Sequence, residues 1–122
     1  MIITLIGQEK NIGILTLTDY LLSKFGRDKC AVVGCNYLVS DFNPILEKIN
    51  EFVKDKTVIV KYVIPKIKFS NQETSYPDAL TNISDLIFKV PSYKEELAPV
   101  VPIEVYKGEA CPALDYIKEF YK

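Results

Sequence analysis

The sequence predicts one α/β domain over residues 1–122, with a mainly parallel sheet of four to five strands between helices in a three-layer arrangement. Two observations carry this. Residues 2–6 (Ile2, Ile3, Thr4, Leu5, Ile6) and Thr57–Ile64 (TVIVKYVI) are apolar, β-branched runs of strand length, the composition of strands buried on both faces of a parallel sheet. Segments with helical apolar spacing alternate with such strands, as βαβ units require.

In chain order, the first strand covers residues 2–6. A polar turn follows, and then a helix over residues 13–25, where Ile14, Leu17, Leu21 and Phe25 recur at helical spacing beside Leu22. Gln8 or Asn11 can cap its start, and Gly26 suits the position just past its end. Residues 30–34 (CAVVG) form a second short strand. Asn43 and Pro44 mark a helix start, with proline in the first turn. Ile45, Leu46, Ile49, Phe52 and Val53 give that helix its apolar stripe. Thr57–Ile64 is the third strand, ended by Pro65. Residues 66–75 are a polar, basic loop, residues 77–83 a short helix, and residues 86–90 a fourth strand closed by Pro91. The prolines of residues 91–102 break regular structure; residues 103–106 form an edge strand, and residues 112–121 a terminal helix with Leu114, Ile117 and Tyr121 on one side.

Bulk properties exclude several functions. The net charge is −1, so no general basic field attracts nucleic acid or an anionic membrane. No apolar run reaches the roughly 18 residues of a membrane-spanning helix. The first ten residues carry neither a basic leader segment nor a small-residue cleavage site, so no signal peptide is expected. The three cysteines, Cys30, Cys35 and Cys111, are too few for a disulfide framework, and a reduced, cytoplasmic setting is expected. With no histidine, Ser-His-Asp and Cys-His nucleophiles and every His-based metal site are excluded.

The turn after the first strand occupies the place where nucleotide-binding α/β proteins hold phosphate, on backbone N–H groups at a helix N-terminus. Here it reads Gln8, Glu9, Lys10, Asn11, Ile12, Gly13, Ile14, Leu15, Thr16. It resembles the deviant phosphate loop of the ParA/MinD partitioning ATPases, K-G-G-x-G-K-[ST]-[ST]. In that register Glu9 stands at the signature lysine, Lys10 and Asn11 replace two glycines, and Gly13 and Thr16 match. Ile14 replaces the catalytic lysine and Leu15 the Mg²⁺-binding hydroxyl residue. The resemblance extends over about residues 1–91. The family's second strand ends near aspartates, where this chain has Gly34, Cys35 and Asn36. Its third strand ends in an aspartate, where this chain has Lys61. Ser84 to Pro91 is similar to the family's next segment, which runs through A-D into a strand ending at proline.

The resemblance implies a degenerate site. Residues 8–13 and Thr16 would form a remnant anion loop, with Glu9 opposing even that role. Phosphoryl transfer depends on stabilising charge in the transition state, so losing the lysine, the hydroxyl and the carboxylate together should abolish it. No cofactor or metal is therefore expected. The implied role is a non-catalytic interaction or regulatory protein, a homodimer or the partner of another protein. The decayed loop and small size suggest a virus or mobile element as the source. The alternative is a small-molecule- or anion-binding protein, or an enzyme, using the strand carboxyl ends near Cys35, Asn36 and Tyr37.

Other features are weaker. Lys61, Lys66 and Lys68 beside Tyr62 and Phe69 resemble a single-strand nucleic-acid surface, but solvated loop lysines fit the net charge better. Lys61 within an apolar strand points to a sheet edge or a strand end. Cys30 and Cys35 are better read as core thiols than as zinc ligands. Tyr93, Tyr106, Tyr116 and Tyr121 suit either an interface or a covered sheet edge.

Overall fold

Strand β1 (Ile2–Gln8) is the centre of the molecule in a computed structural model that describes residues 1–9, 12–64, 78–90 and 104–121. The chain continues through α1 (Ile12–Phe25), a 3-10 turn (Arg27–Lys29), β2 (Cys30–Asn36), α2 (Asn43–Phe52), β3 (Thr57–Ile64), α3 (Asp78–Ile83), β4 (Leu86–Lys89), β5 (Glu104–Lys107) and α4 (Pro112–Phe120). The five strands form one sheet in the order β2-β3-β1-β4-β5. The pairs β1–β3, β1–β4 and β2–β3 are parallel, whereas β5 joins β4 antiparallel with an irregular register. The fold is thus the expected α/β sheet, with Thr57–Ile64 beside β1 and β2 outside it.

Side-chain alternation divides the core into two layers. Ile3 and Leu5 of β1, Ile59 of β3 and Leu86 and Phe88 of β4 face α1 and α4, where they meet Ile14, Leu17, Leu21, Leu114 and Ile117. Ile2, Ile6, Val33, Val58, Val60, Tyr62 and Ile87 face the opposite way, against Ile49 of α2 and Leu80 of α3. Aromatic pairs join the two helices of the first layer: Tyr20 to Phe120 with centroids 5.0 Å apart, and Phe25 edge-on to Tyr116 at 5.2 Å. Tyr116 and Tyr121 therefore pack on the core, whereas Tyr106 is exposed.

Local signals act as their chemistry dictates. Gly26 ends α1 at φ 96°, with its N–H donating to the Leu22 carbonyl at 2.9 Å. Pro44 lies in the first turn of α2. At the base of β1 and β4, the Asp85 carboxylate accepts the Ile2 N–H at 2.7 Å. The Asp85 N–H donates to the Ile2 carbonyl, also at 2.7 Å. Ser84 donates its hydroxyl to the Leu80 carbonyl at 2.6 Å. The buried 2.6 Å contact between Thr4 and Ser84 must therefore have Thr4 as donor.

Two expectations change. β3 is an interior strand, so Lys61 marks no sheet edge; it lies in the carboxyl-terminal half of the strand. Tyr62 is buried against α2 and is not available to stack on a base. Residues 66–75 and 91–102, with Lys66, Lys68, Phe69 and Tyr93, lie outside the described residues.

Gly108 provides a stringent test of the β4–β5 corner. Its φ is +92°, and a Cβ there would meet the Asp85 carbonyl oxygen. A Cβ at Gly34, by contrast, meets nothing within 4 Å. Gly108→Ala should cost at least about 2 kcal/mol in urea unfolding. Gly34→Ala should change stability by less than about 1 kcal/mol.

Candidate functional site

The carboxyl ends of β1, β2 and β3 open into a cleft of about 620 Å³ beside the start of α1. Its position follows from packing. Helix α1 lies against β1, β3 and α4. The near face of β2 is left uncovered: Val32 is 40% exposed, and the space above Gly34 is open. On β3, alternation turns Lys61 and Val63 to the same face as Ile59, so both reach the cleft. Gln8, Glu9, Ile12, Ile14, Leu15, Gly34, Cys35 and Asn36 complete the lining.

The residues expected to form an anion loop are only partly brought together. Gln8 ends β1 opposite Ile64, and the Glu9 N–H donates to the Ile64 carbonyl at 2.9 Å, which ties the turn to β3. Ile12 begins α1 and is 46% exposed. Gly13 is buried within the first turn of the helix rather than in the connection before it. Thr16 does not line the cleft; its hydroxyl donates back to the Ile12 carbonyl at 3.0 Å. Lys10 and Asn11 lie outside the described residues.

Among the described residues, the lining lacks the groups that the resemblance would need for a magnesium-bound nucleotide. Ile14 is 4% exposed and belongs to the core. Leu15, at the Mg²⁺-ligand position of the resemblance, is 57% exposed and presents methyl groups to the cleft. Lys61 is the lysine among the lining residues, and Glu9 is the carboxylate. No group of three or more potential metal-ligating side chains occurs among the described residues.

Of the three residues of the alternative reading, Cys35 and Asn36 line the cleft and Tyr37 does not. Asn36 is committed locally: its Oδ1 accepts the Leu38 N–H at 2.9 Å and closes the turn after β2. Burial pushes the Cys35 thiol up to about 11, so it is protonated at neutral pH and a poor nucleophile. Cys30 is raised as well, by burial and by the nearby Asp28 charge. Val63 had no motif to announce it, and the bare strand at Gly34, which the resemblance had placed at the second strand's end, opens because α1 does not cover it.

No family model, curated protein or solved structure matches this chain. Among the described residues, no helix is long and apolar enough to cross a membrane.

The raised thiol carries a pH signature. A group that holds its proton more tightly when folded stabilises the protein fully below its unfolded value, and that contribution is lost as pH rises through the folded value. For Cys35 the window runs from the ordinary 9.0 to about 11. Unfolding free energy should fall by up to about 3 kcal/mol across it on this account. Cys35→Ala should flatten that part of the curve, leaving a smaller slope from Cys30 and from Tyr62, whose hydroxyl is also raised by burial.

Proposed function

We propose that this chain is a non-catalytic interaction domain of ParA/MinD-like descent, in which the phosphate loop has become an apolar contact surface. The observation that carries the reading is Leu15, 57% exposed on the cleft where a Mg²⁺-binding hydroxyl would be needed. Ile12 at 46% and Leu38 at 73% exposure extend the apolar surface around the strand ends. Exposed apolar groups gathered in one region mark protein contact sites more often than anion sites. The partner is protein, either a second copy or another chain, and neither nucleic acid nor membrane is part of the reading. A cytoplasmic setting accords with three free cysteines. A source in a virus or mobile element accords with the loss of the catalytic side chains.

A second reading is favoured by the cleft itself. A volume of about 620 Å³ falls within the range of small-molecule sites, and Lys61 could orient an acidic group of a largely apolar ligand.

Phosphate release from ATP and GTP with Mg²⁺ should remain at the level of a protein-free blank. Turnover that disappears on replacing Glu9 or Leu15 would contradict the reading. Leu15→Asp should leave stability within about 0.5 kcal/mol, because the side chain supports no core contact. It should also lower the binding of a hydrophobic dye to the folded protein.

A further inference from the structure

We infer that the edge of β2, unpaired among the described residues, is a self-pairing surface, on which a second copy of this chain adds its own β2 antiparallel about a two-fold axis through Val33. It rests on the reading of an interaction domain above and adds to the cleft at the start of α1 a separate surface, with a second copy as its partner.

The two edges of the sheet are built differently. β5 has four residues, carries Glu104 and Lys107, pairs irregularly with β4, and is tied down by Lys107 Nζ donating to the Thr81 carbonyl at 2.9 Å. Short length, charge and irregular pairing are the usual protections of a sheet edge. β2 has none of them. Its seven residues, CAVVGCN, include no charge and no proline, and they run in unbroken register along β3. The Tyr37 N–H donates to the Val63 carbonyl at 3.1 Å. By alternation, Val33 and Cys35 direct their backbone groups to β3, and Val32 and Gly34 direct theirs outward.

A second copy suits this edge through its self-complementarity. The two-fold through Val33 is the register in which all seven residues find a partner. It sets Val32 opposite Gly34 of the partner subunit, twice by symmetry. Val32 is a half-exposed side chain, and Gly34 has the open space to receive one. Their outward N–H and C=O groups then form the hydrogen-bonded pair. On the opposite face, a groove of about 430 Å³ runs between β2 and α2, lined in part by Ile45, Lys48, Glu51 and Phe52. Lys48 and Glu51 make no ion pair among the described residues. Antiparallel pairing of α2 with its copy brings Lys48 toward Glu51 of the partner subunit, again twice. Charges of opposite sign, one helical turn apart on one edge, are complementary to themselves under a two-fold axis.

The experiment is sedimentation of the full chain across a wide concentration range, with edge and cleft variants compared. The wild type should dimerise. Val32→Lys should weaken pairing at least about tenfold, since it buries an unpaired charge at the seam. Lys48→Glu and Glu51→Lys should each weaken it a few-fold, and the double reversal should restore it, a rescue that misfolding cannot produce. Leu15→Asp should leave the dimer intact. A wild-type monomer at every concentration would overturn the proposal, leaving edge capture of another protein's strand as the remaining use of β2. Dissociation by Leu15→Asp but not by Val32→Lys would also overturn it, while retaining an interaction domain that pairs through the cleft. Nucleotide turnover is read independently, so its appearance would remove the functional reading without being mistaken for a failure of the edge.

Discussion

Everything in this fold is arranged around a strand buried over all but its last residue. β1 is paired on both edges and buried on both faces from Ile2 to Ile6. Its backbone groups have partners on both sides, and its side chains divide the core into the α1/α4 and α2/α3 layers. Hydrogen bonds from Val58 to Met1, Asp85 to Ile2 and Val90 to Ile6 align its neighbours with it. Burying so continuous an apolar run supplies much of the driving force for folding. It also fixes the polarity of the sheet, and therefore where the carboxyl ends of three parallel strands converge.

The candidate site is a consequence of that frame and of incomplete coverage. Two helices suffice for the α1 face of β1, β3 and β4, but neither reaches β2. The exposed Val32, the open face at Gly34 and the reach of Lys61 into the cleft all follow from that one shortfall. Such carboxyl-end clefts bind ligands in many α/β proteins, yet fold supplies only the location. The side chains set the chemistry, and here Ile12, Leu15 and Val63 outweigh Lys61 and Glu9. Among the described lining residues, one lysine beside one carboxylate offers little to offset a polyphosphate's charge, and the apolar wall suits the protein contact proposed above.

Much of the fold was legible because β-branched runs and helical spacing left few alternatives. Thr57–Ile64 matches its strand residue for residue, and the first helix differs from its expected start by one residue. β2 extends two residues beyond the expected end, to Asn36. Gly34 is a weak strand former that reads as a stop, but pairing with Lys61 carries the strand through it. The terminal pairing was less visible: the edge strand was expected from the prolines that precede it, but its antiparallel direction depends on where the chain returns. The site was legible in place and only partly in composition. Of the loop motif, Gln8, Glu9 and Ile12 line the cleft, whereas Thr16 turns back onto its own helix. Val63 carries no chemical signature and becomes a site residue only through three-dimensional placement.

The start of α1 is proposed above as a contact surface rather than a phosphate site. That proposal is tested most directly by amide NMR of the isotope-labelled chain titrated with ATP and Mg²⁺. The expected result is no saturable shift at the amides of Ile12, Gly13, Ile14 and Leu15. Saturable shifts centred on those four amides, with neighbouring responses at Lys61, would contradict it.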